Sequence, residues 1–352
     1  MDFNAGKYVN QGSYKSFIPN EINVEHALDD MGLISLLSNA DRQVGRLDMY
    51  SEYTPNIDLF IQMHVLKEAT QSSKIEGTQT NMEEALQDIE EVAEEKRQDW
   101  EEVQNYILAM HGAMDSLREL PLSSRLIKKT HGILLQGVRG KHKLPGEFRT
   151  SQNWIGGASL MDAVFVPPPH HELGRLMNDL EKFIHNKEQK LPDLLKIALI
   201  HYQFETIHPF LDGNGRVGRL LITLYLVEKE ILKQPILYLS DFFEKNRQLY
   251  YDNLMRVRTH NDIKQWYRFF LVGVIETAKK GIATFDAIMQ LQKATDEKLQ
   301  LLGSRTNVAR TLLNALYKNP FINAANTAKI SGISPPSAYS LLADLEDLGI
   351  LK

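Results

Sequence analysis

HPFLDGNGRVGR, residues 208–219, is the most informative stretch of this 352-residue chain. Gly213 and Gly215 flank Asn214, and apolar residues follow at helical spacing: Val217, Leu220, Leu221, Leu224, Tyr225 and Val227. The spacing predicts a helix with one buried face, and the glycines place a tight turn at its N-terminus. Unpaired backbone N–H groups and the positive end of the helix dipole favour an anion at such a turn.

Two arginines indicate that the anion is a phosphate. Arg216 and Arg219 are three residues apart, so they share one face of the predicted helix. A guanidinium can grip phosphate oxygens through two parallel hydrogen bonds. The string therefore predicts a polyphosphate site, and it lacks the Gly-Lys-Ser/Thr ending of a Walker-type NTPase.

Asp212 and His208 add the chemistry. One carboxylate, together with phosphate oxygens and waters, is a typical Mg²⁺ environment, and Asp212 could equally cap the helix. His208 has the side chain best suited to remove a proton near neutral pH. The chain has no cysteine, and the string holds no serine or lysine, so a covalent enzyme intermediate is not indicated. Direct in-line transfer to a hydroxyl is the simpler chemistry.

The string also resembles the signature of the Fic family, H-x-F-x-[DE]-G-N-G-R-x-x-R, with every fixed position filled. Family members transfer AMP from ATP to a Ser, Thr or Tyr hydroxyl of a protein. The resemblance implies that His208 is the base and that Asp212 holds Mg²⁺. It implies that the transferred and leaving phosphates are bound by the rest of the motif, namely Gly213, Asn214, Gly215, Arg216 and Arg219. Further along, Tyr250 and Tyr251 resemble residues that border the adenine, with core packing as the alternative for each.

A flap precedes the motif. PGEFRT at 145–150, NWIGG at 153–157 and FVPPP at 165–169 resemble the family's β-hairpin, which aligns a target segment beside the active site by strand addition. The resemblance implies a docking role for Ile155 and Gly156. A plain hairpin with a proline-rich exit is the alternative.

SSKIEG at 72–77 resembles the family's inhibitory motif, [ST]-x-x-x-E-[GN]. Ser72, Glu76 and Gly77 fill its fixed positions, and a helix ending at Gly77 is the alternative interpretation. The resemblance implies that Glu76 pairs with Arg219 and so denies the γ-phosphate of ATP its partner. A position ahead of the catalytic core resembles the subgroup that carries its inhibitory helix in the same chain.

Composition indicates a globular protein. The net charge is −5, 43% of residues are hydrophobic, and there is no case for a dedicated nucleic-acid binder on charge alone. The absence of cysteine fits a reducing cytoplasm. No signal peptide and no apolar run long enough for a membrane span are recognised, so we expect a cytoplasmic protein without membrane contact.

The fold class predicted is mainly α: a Fic-type helical core with a β-hairpin flap, followed by a helix-turn-helix, winged-helix-like module. The expected divisions are an N-terminal helical region with the inhibitory helix at 1–110, a catalytic core at 111–285, a linker or helix at 286–304 and the C-terminal module, without a wing, at 305–352. Helices are expected at 55–76, 123–135, 172–184, 192–204 and 308–316, with a capping box formed by Thr80 and Glu83. The flap is the only strand region expected.

The C-terminal module allows two interpretations. Its helix, glycine turn and second helix outline a helix-turn-helix, and the chain stops where a wing would begin. The second helix, expected at 335–348, has no Lys or Arg but contains Asp344, Glu346 and Asp347. Because DNA affinity depends on phosphate neutralisation, self-association, including a homodimer, or target docking is favoured over DNA binding. A DNA-binding regulator and a Fic-scaffold enzyme that removes AMP or moves another phosphate-containing group remain alternatives.

Overall fold

The computed structural model describes residues 3–53, 57–137, 142–316 and 321–352. The chain is mainly α-helical, as the apolar spacing predicts. The helices are α1 Met31–Tyr53, α2 Ile57–Ile75, α3 Met82–Leu86, α4 Arg97–Ser116, α5 Ser124–Leu134, α6 Leu173–His185, α7 Asp193–Ile207, α8 Asn214–Glu228, α9 Ser240–Lys245, α10 Arg247–His260, α11 Ile263–Leu299, α12 Thr306–Leu316, α13 Ala324–Ser331 and α14 Pro335–Asp347. Short 3₁₀ turns lie at Ile89–Glu91, Glu94–Lys96, His170–Glu172 and Gln300–Arg305. Among the described ranges, no helix combines the length and apolar composition that crossing a membrane requires.

The chain divides into two units. One contains Met1–Met49 and His64–Lys279, and the other contains Tyr50–Met63 and Lys280–Lys352. This division does not fall at 110, because α3, α4 and most of α1 and α2 belong to the same unit as the motif, while Tyr50–Met63 belongs to the second unit. The division at 279 lies close to the boundary expected at 285.

Helix α7 is the centre of the first unit. Every residue from Leu194 to Ile207 is buried, which is the pattern of a helix surrounded by protein on all sides. Helix α8 is buried from Val217 to Leu226 and packs along α7. The indole of Trp266 on α11 donates to the carbonyl oxygen of Ala198, 2.8 Å away, and so satisfies its only polar atom inside the core. The motif loop therefore connects two buried helices, which fix both of its ends.

The first unit also contains a hairpin that the sequence analysis missed. Strands β1 (Gly6–Asn10) and β2 (Lys15–Pro19) pair antiparallel. Gly12 turns between them with φ +94°, and a side chain at Gly6 would lie 2.3 Å from a carbonyl oxygen across the pair. Phe17 on β2 is buried, and its backbone N–H donates to the carbonyl of Val166 at 2.9 Å. The expectation of strands in the flap alone was wrong, because a turn flanked by β-forming residues at 6–19 was overlooked.

Helix ends follow local capping chemistry. The capping box expected from Thr80 and Glu83 forms one residue later: Asn81 accepts from the backbone of Glu84 at 2.9 Å, and the Glu84 side chain accepts from the backbone of Asn81 at 3.0 Å. Asn is a stronger cap than Thr, and it also has an acid three residues on. Ser123 caps α5 as the helix expected at 123–135 requires. The start expected at residue 55 for α2 lies outside the described residues.

The second unit has its own small cores. The ring of Phe60 stacks on Phe285 with centroids 3.5 Å apart. Separately, Leu312 of α12 and two residues of α14, Leu341 and Leu345, are buried in one apolar cluster. Ser334 caps α14, and Pro335 starts it, which is the preferred place for proline in a helix. Helices α12, α13 and α14, with Gly332 between the last two, match the expected helix-turn-helix outline. The winged-helix assignment stays a prediction.

One buried side chain fixes the flap to the motif loop. Arg149 is 2% exposed, and its guanidinium donates to four carbonyl oxygens: those of His208 at 3.0 Å, Ser151 at 3.1 Å, Pro168 at 2.6 Å and Ile207 at 3.4 Å. Its own backbone N–H donates to the carbonyl of Pro209 at 2.9 Å. Burial lowers the pKa of Arg149 to about 10, which still leaves it charged at pH 7. The planar fork joins both ends of the flap to the first residue of the motif.

Arg149→Lys should therefore destabilise the protein strongly. A lysine has one point charge and cannot satisfy these four carbonyls in fixed directions, so we expect a loss of about 3 kcal/mol or more in the free energy of unfolding. Urea denaturation would measure it. The control is Arg175→Lys, an arginine whose bridges to Glu21 and Glu172 lie on the surface and whose loss should cost less than about 1 kcal/mol. Equal effects of the two substitutions would contradict the role given to Arg149.

Candidate active site

The motif loop is held in shape by left-handed backbone at both ends. Helix α7 ends at Ile207, and His208 has φ +50° and ψ +59°. Gly213 has φ +74° and directly precedes α8. A non-glycine residue in this conformation is costly and persists only where its surroundings fix it. At His208 the fixing groups are the side chains of Arg149 and Asn153, which donate to its carbonyl oxygen at 3.0 and 3.3 Å.

The interior of the loop is closed by Asn214. Its side-chain oxygen accepts from the Phe210 N–H at 2.8 Å, and its amide donates to the Phe210 carbonyl at 2.9 Å. The buried side chain therefore stabilises the loop. Only the backbone of Asn214, in the first turn of α8, is available to bind a phosphate. Phe210 is buried as well and stacks on His131, with ring centroids 3.7 Å apart.

His131 on α5 is a residue the sequence analysis did not single out. Its Nδ1 lies 2.9 Å from the Gly146 N–H, and its Nε2 lies 3.1 Å from the carbonyl oxygen of Asp212. Burial lowers the pKa of His131 to about 4, so the ring is neutral, with Nδ1 as acceptor and Nε2–H as donor. It links the start of the flap to the residue expected to hold the metal. A histidine in an amphipathic helix gives no sequence signal for this role.

The imidazole of His208 is in the base form at neutral pH. Burial lowers its pKa to about 4, even though the negative charge of Glu76 opposes the shift. A neutral ring can accept a proton without first losing one. The structure thus gives His208 the protonation state that a general base needs.

Arg219 is buried and paired as the family resemblance implies. Its Nη2 lies 2.7 Å from Oε1 of Glu76, and its Nε donates to the hydroxyl of Ser72 at 2.8 Å. The same Nη2 also donates to the Ser72 carbonyl oxygen at 2.9 Å. Burial works to raise the pKa of Glu76, yet the charge and hydrogen bond of Arg219 hold it below its ordinary value. Both partners are therefore charged, and the predicted pairing of Glu76 with Arg219 is present.

Glu76 also lies over the turn expected to bind an anion. A side-chain carbon placed on Gly215 would lie 2.2 Å from Oε1 of Glu76, so the carboxylate rests directly against the backbone there. Gly77 follows with φ +106° and ends the helical segment, as a glycine at a helix C-terminus does. The carboxylate is an anion at the position where the sequence predicts a phosphate.

Arg216 and Asp212 lie beside this contact. Nη2 of Arg216 is 3.6 Å from Oδ1 of Asp212, and Nη1 is 3.2 Å from Oε2 of Glu102 on α4. Glu102 is a second residue that the sequence analysis missed, since it is 114 positions from its partner. Arg216 and Arg219 are thus brought together on one face of α8, and a carboxylate from the N-terminal region contacts each.

Asp212 fits a magnesium ligand. Its side chain is half exposed, lines a cavity of about 260 Å³ and does not cap α8, which has no side-chain cap. Within the described residues, no group of three His, Cys, Asp or Glu side chains could hold a metal. One carboxylate is the usual protein share when phosphates and waters complete the shell of Mg²⁺.

The structure corrects the placement of Tyr250. Its ring is 1% exposed, and its hydroxyl lies 2.8 Å from Nε2 of His201, inside an aromatic cluster. Tyr250 is therefore a core residue, and its ring has no exposed surface that an adenine could contact. Tyr251, at 39% exposed, keeps an accessible ring.

A buried carboxyl group lies one turn before His208. Burial raises the pKa of Glu205 to about 7, and its Oε1 has no hydrogen-bond partner among the described residues. A side-chain carbon at Gly218 would come within 2.1 Å of that oxygen, so only glycine fits there. Gly218 is thus needed for packing against α7, a role the motif pattern does not indicate.

The flap contains a single antiparallel bridge. Ile155 and Phe165 exchange both backbone hydrogen bonds, at 2.8 and 3.1 Å. Gly156 has φ +68° and leaves no room for a side chain, because Val164 lies 2.7 Å from where its Cβ would be. The backbone N–H and C=O of Ile155 are therefore both paired with Phe165. In an antiparallel pair, the backbone groups that point away from the partner strand are those of the neighbouring residues. Trp154, Met161 and Val164 are exposed on the flap.

Comparisons with known proteins agree with this geometry. The sequence profile of the Fic/DOC family N-terminal region matches residues 34–115, and that of the Fic/DOC family matches residues 121–226. "Protein adenylyltransferase Fic" of Aedes aegypti is 32% identical over 175 residues, which is 47% of this chain and 31% of that protein. The Drosophila melanogaster protein of the same name is 30% identical over 182 residues, 49% of this chain and 34% of that protein. The chain thus matches about a third of the length of these relatives.

Solved structures share the fold. A Fic family protein from Desulfovibrio desulfuricans G20 superposes with a TM-score of 0.61 at 18% identity, covering 92% of this chain and 91% of that one. Fic-1 from C. elegans, residues 134–508, gives a TM-score of 0.54 at 18% identity, covering 74% and 75%. The two profile matches together span just over half of the chain and contain the motif, the flap and the Glu76 segment. This chain belongs to the Fic/DOC family.

Proposed function

We propose that this chain is a protein adenylyltransferase that moves AMP from ATP to a Ser, Thr or Tyr hydroxyl of a protein, itself included. The observation that carries the proposal is the ion pair of Glu76 and Arg219 over Gly215. A carboxylate already bound there marks an anion site with a guanidinium and open backbone, which is what a phosphate needs. The curated relatives named protein adenylyltransferase support the same reaction class.

In this reaction His208 acts as the base. The target hydroxyl oxygen attacks the α-phosphorus of ATP while its proton passes to the neutral imidazole. The bond between the α-phosphorus and the oxygen bridging to the β-phosphate breaks, and pyrophosphate leaves. A ring whose pKa lies near 4 is unprotonated at pH 7, so its nitrogen can accept the proton of the hydroxyl.

The phosphates are held by charge. Arg216 and Arg219 would contact the leaving phosphates, and the backbone of Gly213–Gly215 would contact the transferred one. Asp212 would hold Mg²⁺, which neutralises and orients the phosphate oxygens. ATP and Mg²⁺ are therefore the proposed substrate and cofactor.

Glu76 restrains this activity in the resting chain. Arg219 cannot serve a carboxylate and a phosphate at once, and the carboxylate is supplied within the same molecule at high effective concentration. The negative charge of the same carboxylate also acts on the His208 ring, so the two groups lie within electrostatic range of each other. That proximity makes AMP removal, with Glu76 orienting a water, the second candidate activity.

The C-terminal module is proposed for self-association or target docking. The carboxylate of Asp344 on α14 forms an ion pair with Arg305, so the positive charge of Arg305 is already neutralised. Glu346 and Asp347 remain at the end of α14 without a basic residue on the same helix. Weak phosphate neutralisation argues against sequence-specific DNA binding, the alternative function.

Substituting His208 tests the base. In a Glu76→Gly background, His208→Ala should lower AMP transfer by about 10²- to 10⁴-fold, because general-base catalysis contributes that much. ATP binding should persist, since the phosphates are held by other residues. Radiolabelled AMP incorporation and calorimetry measure the two. The control is His185→Ala, whose ring bonds a backbone carbonyl outside the motif. Transfer near the parental rate would remove His208 from the mechanism.

Substituting Glu76 tests the restraint. Glu76→Gly frees Arg219, so self-modification or target modification should rise by roughly tenfold or more. Glu94→Gly, in an exposed 3₁₀ turn, is the matched control and should leave the rate unchanged. An unchanged rate in Glu76→Gly would sink the restraint. Incubating a modified target with each form separates AMP removal, which the wild type should perform and the variant should not.

Substituting the flap tests docking. Ile155→Asp in the Glu76→Gly background places a charge where an apolar contact to an incoming segment is expected. It should reduce labelling of proteins in a cell lysate by about tenfold while ATP affinity stays within twofold. Ile155→Val keeps the apolar surface and should retain labelling. An equal loss of labelling and ATP affinity would mean that the substitution had damaged the fold.

A further inference from the structure

Helix α4 holds the segment that follows Glu76. The side chain of Asp99 accepts from the Gln79 N–H at 2.8 Å, and Oε2 of Glu102 accepts from the hydroxyl of Thr78 at 3.3 Å. The two acids are three residues apart, so they face the same way from the helix. The segment leaving the inhibitory residue is thereby attached to α4 at two consecutive positions.

Glu102 makes a second contact with the same oxygen atom. Oε2 lies 3.2 Å from Nη1 of Arg216, whose side chain is 5% exposed. Asp212 lies on the other side of the guanidinium at 3.6 Å. Nε of Arg216 is buried and has no hydrogen-bond partner within the part of the chain that the structure describes. Arg216 is therefore held between two carboxylates with part of its donor set unused.

The cavity beside these groups is acidic. Its lining includes four carboxylates, those of Glu76, Asp99, Glu102 and Asp212, and the guanidinium of Arg216. A polyphosphate entering this space meets like charge, and the arginine that would attract it is already neutralised. The arrangement binds phosphate only after at least one carboxylate withdraws.

We propose that Glu102 is a second inhibitory carboxylate, which withholds Arg216 from the phosphates as Glu76 withholds Arg219. This assignment rests on the proposed function, since it regulates the same nucleotide site. The hydroxyl of Thr78 joins the two restraints, because Thr78 is two residues from Glu76 and bonds the oxygen of Glu102 that contacts Arg216. Movement of the segment that carries Glu76 removes one of the bonds that position Glu102.

The release requires the Glu102 carboxylate to leave Arg216 and the hydroxyl of Thr78. Glu102 is partly exposed, at 22% of its side chain, so solvent can take up its carboxylate when Arg216 is bound to phosphate. A guanidinium relieved of one carboxylate can make the two parallel hydrogen bonds that phosphate favours. A residue that merely braced Arg216 for catalysis would give the opposite result when its charge is removed.

The test is the affinity for Mg²⁺–ATP, measured by calorimetry on the full chain. Glu102→Gln should bind Mg²⁺–ATP about fivefold or more tightly than the wild type, and the gain should persist in the Glu76→Gly background. Thr78→Val, which removes one bond to the carboxylate, should give a smaller gain of the same sign. Glu101→Gln, the neighbouring acid on α4, is the control and should leave the affinity unchanged.

Transfer assays separate this assignment from the reaction itself. In the Glu76→Gly background, Glu102→Gln should lower the KM for ATP and keep kcat within twofold. Unchanged or weaker nucleotide binding, or a tenfold fall in kcat at saturating ATP, would overturn the assignment. If every variant failed to transfer AMP while Glu102→Gln still bound Mg²⁺–ATP more tightly, the assignment would be supported and the proposed reaction overturned.

Discussion

A buried guanidinium, that of Arg219, governs the arrangement around the site. Only 3% of the residue is exposed, and a charge at that depth must be paired and hydrogen-bonded to be tolerated. Ser72 in the last turn of α2 and Glu76 directly after it meet that demand. Burial acts to lower the pKa of Arg219, and the Glu76 carboxylate holds it above its ordinary value, so the residue remains a cation throughout. The position of α2 is therefore set by electrostatics as much as by apolar packing.

That helix is anchored beyond the ion pair. Glu68, two turns before Glu76, is buried and accepts hydrogen bonds from the hydroxyls of Tyr106 on α4 and Ser240 on α9. Burial raises the pKa of Glu68, which its hydrogen bonds and the charge of Arg219 oppose. Polar groups at this depth are costly unless satisfied, so they fix one register of α2 against its neighbours. The ion pair of Glu76 and Arg219 is consequently anchored in the core of the first unit.

Local signals were readable from the sequence, and distant ones were not. The motif could be predicted because glycines, arginines and apolar spacing within a dozen residues act on each other directly. The Glu76–Arg219 pair, 143 positions apart, came from family resemblance. Glu102 and His131 gave no signal, because their roles depend on which helices pack together. The adenine contact predicted for Tyr250 failed for the same reason. The sequence pattern of an aromatic residue on a helix is the same in a core and beside a ligand.

The hydrogen bond from Phe17 of β2 to Val166 bears on how the flap behaves in a crowded solution. A lone two-stranded flap has two open edges, and each can recruit another extended chain, which is the route to open-ended aggregation. Here the N-terminal hairpin covers the edge on the Val166 side, while the edge next to Trp154 stays available. An incoming strand can therefore add only on the Trp154 side of the flap. The hairpin thus restricts strand addition on this surface to a single direction.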